Sequence, residues 1–364
     1  MAQQYANETT EEFSSRLFGF ISGGFTGLSI ALGIKSGLFD VLIAHHGKAL
    51  TSQELADAAG LKERYVREWL GVMTTAHIVD LDVMSSTEKY QLPAHRLDCL
   101  RPGTHLGQSM DCALGIPIYS GAFYDMLEIL KKDGPRGHTQ STIEPFHEFD
   151  KNYLRAWYTD TLVQEFIPSY PEIQAKLEMG IRMLDVGCGA GLATQILAKK
   201  FPESHFVGVD IAQSMVDEAN AEATRLGLKN VSYFRVDGSV MPSDWASTFD
   251  HAFFFNMLHD TSRPDLLIDD VKRVMKKDGT LSIIEFDFGS KVGDNVGNTT
   301  APLVYTISLF YCLPQAYQPE DSHGLGTLWG RERIQDFLKE KGLVLKSATK
   351  VPKINELHFL CHLA

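Results

Sequence analysis

Three aspartates close apolar runs in the second half of the chain: Asp185 in MLDVGCGAGLATQILA, Asp210 in HFVGVD and Asp237 in FRVDGS. After Asp185, Gly187, Gly189 and Gly191 open a predicted helix. Glycine tolerates positive φ and, lacking Cβ, lets a ligand lie directly on the backbone. A carboxylate at Asp210, 19 residues beyond Gly191, can accept both hydroxyls of a ribose. Asp237, with the backbone of Gly238 and Ser239, stands where an adenine amino group can be read. Taken singly, each acid is equally a helix cap or a solvated loop end; together, at successive strand ends, they specify an adenosine. No Lys or Arg stands in the glycine turn, which points away from a nucleotide phosphate. Leu192 occupies the position where the dinucleotide fingerprint requires a third spaced glycine. A fourth run, FFFNMLHDTSRPD at 253–265, carries three phenylalanines into Asn256, His259 and Asp260. Consecutive aromatics predict a strand covered on both faces, so an imidazole beside a carboxylate at its exit calls for an explanation.

The elements that must position these residues follow from residue 181 onward. Apolar runs alternate with helical patterns: IRMLDVG, HFVGVD, VSYFRVD, DHAFFFN and TLSIIEF, then LVLKSATKV and ELHFLCHL. Strands alternating with crossover helices imply an α/β, Rossmann-like, doubly wound and mostly parallel sheet of seven strands. The last strand is reversed, because the short turn before it makes the final two antiparallel to each other. In such a sheet ligands sit outside the carboxyl ends of the strands at the switch point.

Upstream, TSQELADAAG has Thr51 and Ser52 as candidate N-caps and stops at Gly60. LKERYVREWLGVMTTAHIV places Leu61, Tyr65, Trp69, Val72 and Met73 at helical spacing, and IVDLDVMSSTEKYQL reads as two short strands around a turn. Helix, turn, helix and hairpin make a winged helix-turn-helix. Residues 51–101 hold six Lys/Arg against eight Asp/Glu, without the basic stripe that DNA reading requires. The boundaries expected are a winged-helix dimerisation domain at 1–102, a helical connector and pocket roof at 103–180, and a nucleoside-binding catalytic domain at 181–364.

Asp185-x-Gly187-x-Gly189-x-Gly191, Asp210 and Asp237-Gly238 resemble the cofactor motifs of class I S-adenosylmethionine-dependent methyltransferases, and the resemblance runs in order over residues 181–364. It implies that the methionine moiety lies against the Gly187–Gly191 turn with its amine near Asp185. Asp210, next to Ile211, would hold the ribose, and Asp237 with Gly238 and Ser239 the adenine. Asn256 joins these as a cofactor-binding position. GLFDVL at 37–42 and the winged helix resemble the N-terminal part of plant-type and bacterial small-molecule methyltransferases, which builds a dimer and roofs the substrate site. In the plant type, the histidine of a segment similar to NMLHD is the general base. His259 would then take a hydroxyl proton as the oxygen attacks the methyl group, a task suited to a side chain titrating near neutrality. Glu285 and Asp287, closing IIEFDF, are the candidates for the acid that orients it. The alternative is that His259 caps the next helix or bonds Asp260 structurally. Thr261 stands where the plant pattern has Trp.

Residues 288–330 read as one long irregular stretch, and loops of that length usually cover a site. Tyr305, Tyr311 and His323 from it, with Tyr153 and Trp157 from the connector, are the candidate substrate residues. No metal is required by this chemistry.

The totals are consistent with such an enzyme. At 364 residues, 44% apolar and 22% charged, the chain can bury two sizeable cores. A net charge of −12 disfavours nucleic acid and favours a small-molecule partner. Five scattered cysteines suggest neither a zinc site nor a disulfide framework. The polar, acidic start MAQQYANETTEEFSSR lacks a signal-peptide pattern, so a cytoplasmic protein is expected. Glycines, serines and Lys35 interrupt the apolar segment 17–42, which therefore reads as helices buried against a partner subunit or the other domain, with no membrane span. The homodimeric small-molecule methyltransferase has two rivals of other classes, a winged-helix regulator that binds the nucleoside as an effector and a nicotinamide-dependent oxidoreductase, which Leu192 disfavours.

Overall fold

The computed structural model describes residues 5 and 7–363, apart from 83–85, 105, 140, 141, 143, 147, 148 and 150–154. The chain divides into two compact units, Met1–Gly121 with Pro145–Ala156, and Ala122–Glu144 with Trp157–Ala364. Residues 103–180 are therefore shared between the two.

In the first unit the helix Ser52–Ala59 starts at a capping box, with Thr51 Oγ1 accepting from the Glu54 N–H and the Glu54 carboxylate accepting from the Thr51 N–H. It stops at Gly60, whose φ is 67°. The helix Glu63–Thr75 follows, then the antiparallel pair β1 (Asp80–Asp82) and β2 (Lys89–Gln91). Its buried face is Val66, Trp69, Leu70 and Met73. Leu61 and Tyr65, expected on that face, are exposed; Leu61 precedes the helix, and the inward stripe is set by the i, i+3, i+4, i+7 row from Val66. Arg64, Arg67 and Arg96 are paired with Glu68, Glu63 and Asp80, so these cations are already partnered within the unit.

The helix Thr10–Lys35 is a single continuous element; its glycines do not break it. Helix propensity penalises each internal glycine by only about 1 kcal/mol, and a 26-residue helix with a capping box at Thr9 and Glu12 absorbs that. It is long and apolar enough to cross a membrane by length and composition alone, and only 11% of its most apolar window is buried. Phe13, Leu17, Phe18, Phe20, Ile21, Phe25 and Leu32 are exposed.

In the second unit, seven strands among the described residues form one sheet: β3 (Arg182–Val186), β4 (His205–Asp210), β5 (Val231–Arg235), β6 (Phe249–Phe255), β7 (Met275–Phe286), β8 (Leu343–Lys350) and β9 (Glu356–Leu363). Their order is β5-β4-β3-β6-β7-β9-β8. The pairs among β3 to β7 are parallel, while β9 is antiparallel to both β7 and β8. The winding reverses between β3 and β6, which places the switch-point crevice at the carboxyl ends of those two strands. β6 is buried on both faces. Phe253 and Phe255 stack at 4.9 Å on one side, and Phe254 enters the main core with Leu184, Ile268 and Ile283 on the other. Each such ring contributes about 1.5–3 kcal/mol by burial, so the strand end is held rigidly.

Residues 288–330, expected as irregular, are helical in part: Val292–Asn295, then a run of Ala301–Ile307, a π-helical turn Ser308–Cys312 and Leu313–Ala316; the remainder is irregular as expected. Pro302 sits in the first turn of the run, where the missing N–H costs nothing; Pro314 lies inside it, and the Phe310 carbonyl four residues earlier accepts from His138 Nε2 at 2.6 Å instead.

Candidate functional site

The crevice is built from four strand ends. Asp185, one residue before the end of β3, is 2% exposed, and its carboxyl pKa is pushed up to about 8 by burial first and by the charge of Asp210 second. The chain then turns through Gly187, Gly189 and Gly191, all at positive φ, into the helix Leu192–Lys200. A Cβ on Gly191 would lie 2.5 Å from the Tyr233 ring, whereas one on Gly189 would meet nothing. The first glycine is therefore required by packing as well as φ, and the second leaves bare peptide facing open space. Tyr233 clamps the turn, donating to the Gly191 carbonyl at 3.0 Å, with Thr194 Oγ1 at 2.7 Å. The helix that follows has no side-chain cap, so its first N–H groups are available to a carboxylate.

Asp210 closes β4. Its carboxylate accepts from the Gly189 N–H and from the Ala212 N–H, each at 2.9 Å. These bonds fix its orientation and leave lone pairs for further donors. Ile211 beside it is exposed. Asp237 accepts from the Ser239 N–H at 2.8 Å and is exposed, with Gly238 and Ser239 partly buried. Acids on adjacent strand ends around a bare glycine turn, with an uncapped helix N-terminus, fit a sulfonium nucleoside bearing an amino-acid tail.

β6 delivers the remaining groups. Asn256 follows it at φ 52°, a conformation asparagine tolerates better than most residues, and this sharp bend starts the turn Leu258–Asp260. His259 is 2% exposed and Glu285 fully buried. His259 Nδ1–H donates to Glu285 Oε2 at 2.6 Å, and the His259 backbone N–H donates to Glu285 Oε1 at 3.2 Å. Both oxygens of one carboxylate thus hold a single histidine, leaving Nε2 as the ring atom that Glu285 does not engage; Asp260 Oδ1 lies 3.4 Å from it. Burial opposes the imidazolium, but the Asp260 and Glu285 charges outweigh it and hold the pKa well above 6.5. Of the two acids read at the end of β7, Glu285 meets the imidazole. Asp287 is instead buried against Arg331, whose guanidinium lies 3.0 Å from Oδ1.

Two groups at this strand end were absent from the sequence reading. Glu356, at the start of β9, is buried and accepts from Asn256 Nδ2 at 2.6 Å; burial pushes its pKa up to about 8. An acid opening the apolar run ELHFLCHL was the available signal. Cys312, in the π-helical turn, places its sulfur within 4.8 Å of the His259 ring. No local pattern links positions 259 and 312, so only the tertiary structure brings them together.

The residues read as substrate contacts have the following neighbours. Trp157 is packed with Tyr158, Phe166 and Phe255, and its indole N–H donates to the Pro352 carbonyl at 3.0 Å. Tyr311 is buried. The Tyr305 hydroxyl accepts from Asn295 Nδ2 at 3.2 Å. His323 lies 3.2 Å from Asp265 Oδ1. Tyr153 lies outside the described residues.

Comparison with known proteins matches two family profiles: an Rv2258c-like winged HTH domain over residues 24–101 and a methyltransferase domain over residues 177–318. Among solved structures, the mitomycin 7-O-methyltransferase MmcR superposes with a TM-score of 0.71 at 14% identity, covering 96% of this chain and 98% of that one. Human N-acetylserotonin methyltransferase in complex with SAM gives 0.68 at 14% identity, covering 98% and 99%. Aklanonic acid methyltransferase DauC of Streptomyces sp. strain C5 is 42% identical over 72 residues, 20% of this chain and 32% of that protein. The chain spans less than half the length of the curated relatives it matches, from 15% to 49% of the first of them.

Proposed function

From a chain that joins a winged helix-turn-helix domain to a class I S-adenosylmethionine-dependent methyltransferase domain, we propose an enzyme that methylates an oxygen of a small molecule. The observation that carries the acceptor class is the buried His259–Glu285 pair at the end of β6. A hydroxyl must lose its proton as it attacks, and a positioned base lowers that barrier, whereas an amine that is already deprotonated needs none. Bound in the crevice, the cofactor supplies an electrophilic methyl group on a cationic sulfur. The chain's own residues do the rest. The Gly187–Gly191 turn and the helix Leu192–Lys200 seat the amino-acid tail, Asp185 faces its amine, and Asp210 holds the ribose hydroxyls. His259 Nε2 takes the acceptor's proton, while Glu285 fixes the ring and stabilises the imidazolium that forms. The test is equilibrium titration with S-adenosylmethionine, then a screen of small-molecule fractions with radiolabelled donor; absence of cofactor binding ends this reading.

Binding is expected to release a proton. At pH 7 a carboxyl group with a pKa of about 8 is mostly protonated, and an incoming cation favours its ionised form. Calorimetry at pH 7 in two buffers of different ionisation enthalpy should therefore report close to one proton lost per cofactor bound. The loss should shrink towards pH 9 and disappear in Asp185→Asn.

The partner of the exposed helix Thr10–Lys35 is, on this reading, the same helix of a second chain. Gly19, Gly23 and Gly24 have open space where a Cβ would stand, which permits close helix approach, while the flanking phenylalanines supply area that a monomer would leave wet. Sedimentation should give a dimer for the native protein and a monomer for the double change Phe18→Glu with Phe25→Glu. A native monomer that partitions into lipid vesicles would replace dimerisation with membrane attachment.

A further inference from the structure

The free nitrogen of His259 does not stand alone. Nε2 lies 3.4 Å from Asp260 Oδ1, and the ligating atoms of His259, Asp260 and Cys312 lie within 4.8 Å of one another. Asp260 Oδ1 is buried without a hydrogen-bond partner. Sulfur, imidazole nitrogen and carboxylate oxygen together form a donor set for a borderline-soft divalent cation and a poor one for magnesium or calcium. Around tetrahedral zinc, with bonds of about 2.0–2.3 Å, ligand atoms stand roughly 3.3–3.8 Å apart, a spacing the histidine and aspartate already have. Metal-bound histidines characteristically donate their second ring N–H to a carboxylate; Glu285 accepts that bond at 2.6 Å. His259 and Glu285 are fixed at the ends of neighbouring strands, and the buried Cys312 sits in a π-helical turn, a device that re-aims a side chain at functional sites.

We propose that His259, Asp260 and Cys312 bind one zinc-type divalent cation per chain and that loading this site stops methyl transfer. On binding, the Cys312 S–H bond and, in the imidazolium form, the His259 Nε2–H bond break, the released protons pass to solvent and a sulfur–metal bond forms. The His259 Nε2 lone pair enters a metal–nitrogen bond and can no longer accept the acceptor's proton. Inhibition rests on the role of His259 proposed above; binding of the cation does not.

The experiment uses the full chain and zinc alone. Competition against a chromophoric chelator is expected to show one equivalent bound per chain, with affinity falling at least about 100-fold in Cys312→Ser and in Asp260→Asn. Cobalt loading should produce thiolate-to-cobalt charge-transfer absorption that Cys312→Ser abolishes. Absence of stoichiometric binding, or identical absorption and affinity in Cys312→Ser, overturns the site. In the radiolabel assay, one equivalent of zinc should suppress wild-type turnover, chelator should restore it, and the ratio with and without zinc should approach one in Cys312→Ser. Stoichiometric binding with undiminished turnover overturns the inhibition. A protein that binds zinc as described yet methylates no oxygen acceptor would instead count against the proposed function.

Discussion

His259→Ala is expected to lower kcat by about 10²–10⁴-fold, the usual contribution of a positioned general base, while cofactor affinity stays within about threefold. The asymmetry follows from geometry. His259 hangs from the turn after β6 on Glu285, whereas the predicted nucleoside contacts other than Asn256 belong to the ends of β3, β4 and β5. The pH profile separates a base from a merely structural residue. The free enzyme's imidazole pKa is held well above 6.5 by Asp260 and Glu285 against the opposing effect of burial. Because a base acts only when neutral, kcat/KM should fall as pH drops through that raised value, with a midpoint above 6.5. Glu285→Gln removes one of the two charges that raise it, so the midpoint should move down while part of the activity remains. Turnover unchanged in His259→Ala, or a profile identical in the two proteins, would refute the assignment.

Asp210→Ala should raise the dissociation constant for S-adenosylmethionine about 100-fold. Two hydroxyl donors to an ionised acceptor contribute about 1.5 kcal/mol each, and 3 kcal/mol corresponds to roughly two decades of affinity. The same change strips the Gly189 and Ala212 N–H groups of their acceptor, so the glycine turn also loses its tie to β4. Asp210→Asn keeps one acceptor oxygen and should fall between the two. Calorimetry gives the comparison directly; a loss below about fivefold in the alanine variant would mean that the ribose does not lie here.

How much of the site was legible depends on the kind of signal each residue carries. Gly187, Gly189 and Gly191 could be read because a positive-φ turn between strand and helix restricts its own residue types. Asp185 and Asp210 could be read because an ionisable group at the end of an apolar strand is costly unless it serves a purpose. The choice between Glu285 and Asp287 was not legible. The two stand two positions apart at the same strand end, and which one meets His259 depends on how β7 ends beside the Leu258–Asp260 turn and on Arg331 taking the other. The helical run 301–316, read as part of an irregular stretch, contains a π-helical turn and Pro314 in its interior, so its local sequence carries no regular helical period. Leu61 and Tyr65 were misplaced because two overlapping helical rows in that segment are both apolar, and the neighbouring elements decide between them.

The sequence by itself determined the doubly wound order of strands, the reversed final strand, the winged helix and the acidic tips around a glycine turn. These rest on local periodicity and local φ preference, which each segment carries alone. Only the tertiary structure decided that Glu285 holds His259 with both oxygens, that Glu356 joins Asn256, and that Cys312 comes near His259 across 53 positions of chain. Such contacts depend on sheet register and on a π-helical turn, properties that arise only when distant segments pack together and bury one another's polar groups.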